Sequence, residues 1–449
     1  MTLLSPLAIS ACGDDPPPTP AETRSRISTD LGNVLHASNA AFAGGALPDT
    51  ANLSVFDQLL GTSATAALPD MTSVNVDADA SVKYLNEQLF TDANHVGNGV
   101  FTIPPALLCQ QTATDPGSTG AATTVDPDCV AKLGQLDLRI RTATSGDSLT
   151  FALQVDADHD EPLRLELTHT SVALTVDFDD LQHAEAAIIT VLGDSAADMA
   201  NAALSGAITG KLAVLGPAKV QASLAIDRAL SLRAAAHGSA LDGPDAFLFT
   251  SAKADGLSIT LDGTAKSGTF AAALAKTVFR LPANEGKQSE VDLPGLSATA
   301  TFTAGQPLKL THLGLGDGST TLAINGQRAE TIDLNPTDGR ALDVTVTRDD
   351  AAGQTTIAVS PRLDLRIAID HAVLGASSNL FDLTRLQLDG TLIGSDHSDQ
   401  VKIGGSLTIT TDPASYGVSA TAGQCVTGEG TTDPATGLDY TRWTAGACL

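Results

Sequence analysis

The sequence predicts a mainly β protein of the α+β class, with a helical N-terminal part followed by a large antiparallel β-meander. Two periodicities lead to this fold class. Apolar residues recur at helical spacing over residues 22–106, and apolar and polar residues alternate from about Leu136 onward. The length of 449 residues and the hydrophobic content of 43% suffice for more than one core. Long alternating strands with tight turns favour a curved sheet or a barrel-like body.

The helical part is expected to span residues 22–130 and to end in a loop closed by cysteines. Its first helix is predicted from an apolar stripe that ends at Gly44-Gly45. A second, short helix is predicted over Ser54–Leu60 and a third over about Ala80–Phe90. The apolar positions of the first helix are Ile27, Leu31, Val34, Leu35 and Phe42.

The β-rich body is expected to occupy residues 131–449, as an antiparallel sheet with one face in a core. An Ala-rich interval at about 181–204 is predicted to insert one or two helices. Residues Thr269–Leu281 fit a strand or a helix, and periodicity does not separate the two. The predicted strands lie at Leu136–Arg141, Leu149–Val155, Leu163–Leu167, Val172–Val176, Val220–Leu232, Leu257–Leu261, Leu342–Val346, Ile357–Val359, Leu363–Ile369, Leu383–Leu388 and Leu407–Ile409.

Charge and missing motifs exclude several classes of function. Lys and Arg number 25 against 52 Asp and Glu, a formal net charge of −27, so nucleic acid is not an expected partner. No apolar run reaches the roughly 18 residues that a membrane-spanning helix needs. The sequence lacks G-x-S-x-G, H-E-x-x-H, G-x-x-x-x-G-K and G-x-G-x-x-G. The commonest hydrolase and nucleotide-dependent activities are therefore not predicted, and no organic cofactor is expected.

The start of the chain contains a short apolar stretch that runs into Ile9-Ser10-Ala11-Cys12. An aliphatic residue, two small residues and a cysteine resemble the lipobox of bacterial lipoproteins, over about a dozen residues. The resemblance implies that residues 1–11 are a signal peptide and that Cys12 becomes the acylated N-terminus. The basic start of a signal peptide is missing, since the first basic residue is Arg24. A start codon assigned too far downstream would explain this.

A proline run follows the cysteine, and residues 12–21 are expected to be a lipid anchor and tether. Pro16-Pro17-Pro18-Thr19-Pro20 cannot form a helix and favours an extended, solvated chain. The resemblance to lipoproteins implies the cell envelope of a Gram-negative bacterium, as an outer-membrane lipoprotein that faces the periplasm or the exterior. The expected partner is then the membrane, through the lipid.

The remaining four cysteines fall into two local pairs, Cys109/Cys129 and Cys425/Cys448. Each pair brackets a stretch rich in Thr, Gly and Asp-Pro, which is typical of loops. The short C-x-x-C spacings that zinc sites use do not occur. In an exported chain these cysteines are predicted to form two local disulfides, each worth roughly 3 kcal/mol. The alternative is four reduced, buried cysteines.

Asp156, Asp158 and Asp160 are candidate ligands for a metal ion. Alternate carboxylates within one turn can converge on Ca²⁺, which takes about six to eight oxygen ligands. The segment begins like the helix–loop–helix calcium motif, but Glu161 replaces the required glycine and Leu167 replaces the final glutamate. The alternative, which the strands predicted on either side favour, is a charged hairpin turn.

Two more polar clusters have both a structural and a ligand-binding interpretation. The segment Asp177–Asp180 precedes the helix predicted from Leu181, where carboxylates cap free N–H groups and complement the helix dipole. The segment Asn86–Phe101 contains the turn pair Asn98-Gly99 and fits a capped helix end followed by a tight turn. The residues that would instead line a small polar or metal site are Asp92, Asn94, His95 and Asn98.

Three functions stay open from the sequence alone. The first is a membrane-anchored extracytoplasmic lipoprotein that serves as a non-enzymatic binding or structural module for an unidentified protein or small-molecule ligand. The second is a carrier of lipid or another apolar ligand in a β-lined cavity. The third is an extracytoplasmic hydrolase without a recognisable motif, which would need a cleft where histidine and carboxylates converge. An open apolar cavity, as opposed to a filled core, would favour the carrier.

Overall fold

The chain divides into two compact units in the computed structural model. Unit 1 comprises Met1–Ala37, Val76–Ala196 and Lys211–Val214, and unit 2 comprises Ser38–Asn75, Ala197–Gly210 and Leu215–Leu449. None of the helices in the described part of the chain is long and apolar enough to cross a membrane. The structure describes residues 16–43, 77–113, 122–155, 161–184, 202–235, 239–284, 287–304, 309–316, 319–334, 341–349, 351–370, 373, 383–412, 414–432 and 439–448.

Helix α1 (Pro20–Arg26) begins at a reciprocal cap. The Thr19 hydroxyl accepts a hydrogen bond from the Glu22 amide at 3.3 Å, and the Glu22 carboxylate accepts one from the Thr19 amide at 2.8 Å. The hydrogen bonds that the Thr19 amide and the Thr19 hydroxyl donate to the Glu22 carboxylate, both at 2.8 Å, lower the pKa of Glu22 from its ordinary value. The helix continues through a π-helical turn (Ile27–Leu31) into α2 (Gly32–Ala43), which confirms the first predicted helix.

Helix α3 (Ala78–Tyr84) confirms the third predicted helix. The Asp77 carboxylate caps its N-terminus, and the helix runs on into a second π-helical turn, Leu85–Leu89. The predicted helix over Ser54–Leu60 lies outside the described residues. Two short helices follow, α4 (Pro105–Leu108) and α5 (Pro127–Leu133).

Unit 1 contains an antiparallel meander with the strand order β1-β2-β5-β6-β7-β8. The alternation predicts β5 to β8, whereas β1 and β2 lie in the part that was expected to be helical. Strands β3 and β4 pair separately with each other. The strands are β1 (His95–Gly97), β2 (Val100–Thr102), β3 (Gln110–Ala113), β4 (Ala122–Val125), β5 (Arg139–Ser145), β6 (Ser148–Gln154), β7 (Leu163–Thr168) and β8 (Ser171–Asp177).

The helices cover the apolar face of this meander and form the core of unit 1 with it. Phe90 packs edge-on against Phe101, with ring centroids 5.2 Å apart, and lies 5.1 Å from Phe151. Arg24 donates to the backbone oxygen of Phe90 at 2.9 Å, which ties α1 to the end of the second π-helical turn. The buried residues of this core are Ile27, Phe90, Phe101, Leu149, Phe151 and Leu167.

The strands of unit 2 follow one another along the chain with few interruptions, and only residues 211–214 of β9 belong to unit 1. They are β9 (Ala202–Gly216), β10 (Lys219–Ala234), β11 (Phe247–Ser251), β12 (Ala254–Asp262), β13 (Ser267–Leu274), β14 (Thr277–Asn284), β15 (Lys287–Leu293), β16 (Leu296–Thr303), β17 (Lys309–Leu315), β18 (Thr320–Ile324), β19 (Gln327–Leu334), β20 (Ala341–Asp349), β21 (Gln354–Ile369), β22 (Leu383–Ser395), β23 (Ser398–Ile403), β24 (Ser406–Thr411), β25 (Val418–Thr421), β26 (Gln424–Thr432) and β27 (Asp439–Ala447).

Several pairs of shorter strands lie end to end along one edge of a longer strand. Along one edge of β10, residues 219–226 pair with β12 and residues 230–234 pair with β11. The segment Thr269–Leu281 lies in β13 and β14, so it is strand and not helix. Within the described residues no pairing joins β9 to β27. The meander is therefore an open sheet, which is one of the shapes that the sequence left open.

The sheet of unit 2 has one apolar and one polar face. Leu224 lies opposite Leu257, and one residue along, Ser223 lies opposite Ser258. Because side chains alternate between the two faces, one face remains apolar and the other polar across neighbouring strands. The apolar face packs most tightly around β21–β26, where the buried cluster consists of Leu334, Val359, Leu388, Ile403, Leu407, Ile409, Ala420 and Val426.

The predicted helical insertion at about 181–204 is wrong at its C-terminal end, which is a strand. Residues 178–184 are helical, so the helix begins three residues before the expected Leu181, and residues 185–201 lie outside the described part. Strand β9 begins at Ala202, because this Ala- and Gly-rich segment pairs with β10. Strands β5–β8, which were expected to be part of the β-rich body, belong to unit 1.

Candidate functional site

Unit 1 contains an apolar cavity of about 190 Å³ between its helices and the inner face of its sheet. All twelve lining side chains are Leu, Ile or Phe. Strands β5 to β8 supply one wall, because their alternating apolar residues point to the same face. The lining consists of Ile27, Leu31, Leu85, Leu89, Phe90, Ile140, Phe151, Leu153, Leu163, Leu165, Leu167 and Leu174.

The opposite wall comes from the two π-helical turns. Ile27 and Leu31 are the ends of the first turn, and Leu85 and Leu89 are the ends of the second. A π-helical turn widens the spacing of side chains along a helix, and such turns occur frequently at functional sites. The placement of both turns against one cavity therefore makes this region the strongest candidate binding site in unit 1.

Polar contacts outside the cavity fix the first π-helical turn. Asp30 is a buried residue, and its carboxylate accepts a hydrogen bond from Arg26 at 2.6 Å and lies 3.2 Å from His169. Arg26 also donates to the backbone oxygen of Asp147. These contacts tie the turn to the β5–β6 and β7–β8 hairpins, so the helical wall is held in place by contacts other than apolar packing.

One side of the cavity reaches the surface. Leu174, on β8, lines the cavity and is 43% exposed. An enclosed void of about 150 Å³ lined by Leu, Ile and Phe stays dry and binds benzene. The volume in unit 1 therefore suits a single apolar ring or a short chain.

Both predicted disulfides are present. Cys109 and Cys129 are bonded with their Cα atoms 5.7 Å apart, and Cys425 and Cys448 with theirs 4.9 Å apart. The first closes the loop that contains β3 and β4, and the second joins β26 to the residue after β27. The local connectivity is confirmed, and the alternative of four reduced cysteines is wrong.

The lipidation and metal candidates lie outside the described residues. These are Cys12 and the trio Asp156, Asp158 and Asp160. Strand β6 ends just before the trio and β7 begins just after it, and the two strands pair as a hairpin. Within the part of the chain that the structure describes, no group of three His, Cys, Asp or Glu side chains could hold a metal ion.

The Asp177 cluster is a helix cap, as its structural interpretation predicts. The Asp177 carboxylate accepts hydrogen bonds from the backbone amides of Asp179 at 3.1 Å and Asp180 at 3.4 Å. These are the first free amides of the helix over residues 178–184. The Asp177 carboxylate therefore caps the start of this helix.

Asn94 and Asn98, two of the candidate polar residues in Asn86–Phe101, have structural roles. Asn94 donates to the backbone oxygens of Gln88 at 2.9 Å and Leu89 at 2.8 Å, which caps the end of the second π-helical turn. Asn98 and Gly99 have φ of 49° and 71° and form the β1–β2 turn. His95 packs on Phe101 with ring centroids 5.0 Å apart. The capped helix end and tight turn are thus confirmed.

The proline run departs from the expected solvated tether. Pro18 is buried, and the Thr144 hydroxyl donates to the backbone oxygen of Pro16 at 3.4 Å. Residues 16–18 therefore lie on unit 1 beside the β2–β5 pair, because extended proline residues offer apolar rings and free carbonyl groups to a surface. The sequence has no signal for this contact.

The chain matches no family model, no curated protein and no solved structure. The candidate site therefore depends on its geometry alone.

Proposed function

We propose that this chain is a lipid-anchored extracytoplasmic binding module and that unit 1 holds a small apolar ligand. The cavity between the π-helical turns and the β5–β8 face is the observation that carries the proposal. Two disulfides support an oxidising compartment, because such bonds persist mainly in exported proteins. The lipobox-like Ile9-Ser10-Ala11-Cys12 supports an acyl anchor at Cys12.

The chemical class of the ligand follows from the lining. Twelve apolar side chains offer no hydrogen-bonding group, so a polar ligand would lose its hydration without compensation. The volume of about 190 Å³ lies below the roughly 300–1,000 Å³ of pockets for drug-sized ligands. A single aromatic ring is therefore favoured over a whole lipid acyl chain.

Acylation at Cys12 is tested with labelled palmitate in a Gram-negative host. The chain is expressed with a basic segment ahead of residue 1, and the label should enter the protein and follow it into the membrane fraction. Cys12→Ser should abolish the label, and Cys448→Ser is the matched control that should keep it. Equal labelling of Cys12→Ser and the unaltered chain would contradict the anchor.

Ligand binding is tested with toluene and the full chain. Toluene at about 100 times its Kd should raise the unfolding free energy of unit 1 by about 2.7 kcal/mol. Leu174→Trp should block the mouth of the cavity and remove this effect. Leu215→Trp is the control, since Leu215 is also an exposed leucine, at 54%, and does not line the cavity.

Two results would contradict the ring-sized site. Toluene could protect Leu174→Trp as well as it protects the unaltered chain, which would place binding elsewhere. Palmitate could protect unit 1 while toluene does not, which would favour the lipid carrier.

A further inference from the structure

Three side chains on the polar face of unit 2 form one hydrogen-bonded chain. They are Ser297 on β16, His312 on β17 and Asp343 on β20. The Ser297 Oγ lies 3.0 Å from His312 Nε2, and His312 Nδ1 lies 2.7 Å from an oxygen of Asp343. A hydroxyl on Nε2 and a carboxylate on Nδ1 have the order and the distances of a nucleophilic serine with its base and its orienting acid.

The register of the sheet brings these residues together. Residue 314 pairs with 341 and 313 with 342, so the next step along the ladder places His312 beside Asp343. On the other side, Ser297 lies opposite Gly314, two positions from His312 on the same face. Side chains at directly opposite positions of a sheet are close together, and diagonal positions are within reach of an aromatic side chain such as the His312 imidazole. The backbone thus determines the arrangement.

Gly314 provides the space for the contact between the serine and the histidine. A Cβ atom at residue 314 would lie 2.7 Å from Ser297 Oγ and 3.2 Å from His312 Nε2. Any other residue would therefore push the two groups apart. The conformation of Gly314 needs no positive φ, so close approach explains the glycine better than backbone freedom does.

The three hydrogen-bonded residues are accessible to solvent. The His312 side chain is 34% exposed and that of Asp343 is 67% exposed. Ser297 is half-buried, and its neighbours on the two adjacent strands are Gly314 and Ala273. Small residues on both sides leave room for a planar carbonyl group to reach the serine from solvent.

We propose that Ser297 is an activated nucleophile that accepts short acyl groups from carboxylic esters. The Oγ–H proton passes to His312 Nε2 as the bond from Oγ to the carbonyl carbon forms. The bond to the leaving alcohol then breaks, and the alcohol takes the proton from Nε2. Water repeats the sequence on the acyl-serine, which releases the carboxylic acid and restores Ser297. Asp343 is a positioning residue that orients the imidazole.

The sheet also limits the expected rate. Ser297 pairs with Ala273 on one side and with Gly314 on the other, so its backbone N–H belongs to the ladder. Loss of one oxyanion donor costs about 10²–10³ in kcat in serine proteases. Acyl transfer to Ser297 is therefore a better readout than steady-state turnover.

The test uses p-nitrophenyl acetate with the full chain. The unaltered protein should release a burst of p-nitrophenolate and carry one acetyl group on the peptide that contains Ser297. Ser297→Ala should lose both signals. His312→Gln should slow acetylation about a hundredfold, because it keeps a hydrogen-bonding group but removes the base. Ser258→Ala is the control, a half-buried serine on the same polar face, and should react like the unaltered chain.

Three further variants separate a chemical role from a structural one. Gly314→Ala keeps all three side chains but displaces the serine from the histidine, and a displacement of about 1 Å should cost about a hundredfold in rate. Asp343→Asn should slow acetylation, and Asp343→Glu should restore part of the rate. Urea unfolding of each variant shows that the sheet is intact.

The proposal is overturned if the acetyl group appears on lysines at the same level in Ser297→Ala. It is equally overturned if His312→Gln reacts at the rate of the unaltered chain. Changes in stability without any acetylation at Ser297 would show that the three residues are a structural hydrogen-bond chain.

Discussion

Replacement of Asp364 by asparagine should destabilise unit 2 at neutral pH and should do so much less in acid. Asp364 is fully buried on β21. Arg385 donates to both of its carboxylate oxygens, at 2.7 and 2.8 Å, and Arg366 donates at 3.0 Å. The bidentate geometry gives the strongest form of such a pair. These hydrogen bonds hold the pKa of Asp364 at about 2, below its ordinary value of 3.8.

The size of the effect follows from that difference in pKa. Since one pKa unit corresponds to about 1.4 kcal/mol, the charged form of Asp364 stabilises the fold by about 2 to 3 kcal/mol. A carboxyl with a lowered folded-state pKa contributes this stability above the pKa of the unfolded chain. The contribution is lost as the pH falls through the folded-state pKa, and at pH 3 about half of it should remain.

Urea unfolding followed by fluorescence measures the effect in unit 2 alone. Trp443 is the only tryptophan of the chain and packs against the buried cluster of unit 2. The difference between Asp364→Asn and the unaltered chain should be about 2 to 3 kcal/mol near pH 7 and about half of that near pH 3. Asp292→Asn is the control, because its partner Lys276 is exposed and the pair should contribute less than about 1 kcal/mol. A difference for Asp364→Asn that does not change with pH would refute the reasoning.

Two further substitutions test a disulfide and a turn. Cys448→Ser should lower the unfolding free energy of unit 2 by about 3 kcal/mol, as seen by Trp443 fluorescence, and unit 1 should unfold as before; free cysteine reactivity at Cys425 in the unaltered chain would contradict this. Gly99→Ala should destabilise unit 1 by more than about 1 kcal/mol, because φ is +71° and a Cβ would lie 2.7 Å from the backbone oxygen of Thr142. Amide exchange of the β1–β2 turn measures the second effect, and unchanged protection would count against it.

The strands of unit 1 could be predicted because their periodicity depends only on neighbouring residues. Leu163, Leu165 and Leu167 alternate with polar residues, and β7 places all three on the inner face. Thr269–Leu281 could not be assigned in the same way, because its polar and apolar residues fit both periods. Pairing with β12 and β16 makes it a strand, and such contacts between distant segments are invisible to a local pattern.

Sequence patterns could not predict the candidate sites, for a related reason. Ser297 and His312 are 15 residues apart, and His312 and Asp343 are 31 residues apart. Their contact depends on the register of three strands, and a slip of one residue would send His312 to the opposite face. The cavity of unit 1 depends in turn on two π-helical turns, whose apolar spacing cannot be told from that of an ordinary helix.

The two proposals concern different units and can be separated in one set of variants. Leu174→Trp should abolish protection by toluene and leave acetylation of Ser297 unchanged. Ser297→Ala should abolish acetylation and leave protection by toluene unchanged. Because neither residue belongs to the core of the other unit, a variant that removed both signals would have unfolded both units, and the loss of the β-sheet signal in circular dichroism would show it. Loss of one signal alone therefore assigns that activity to its own unit.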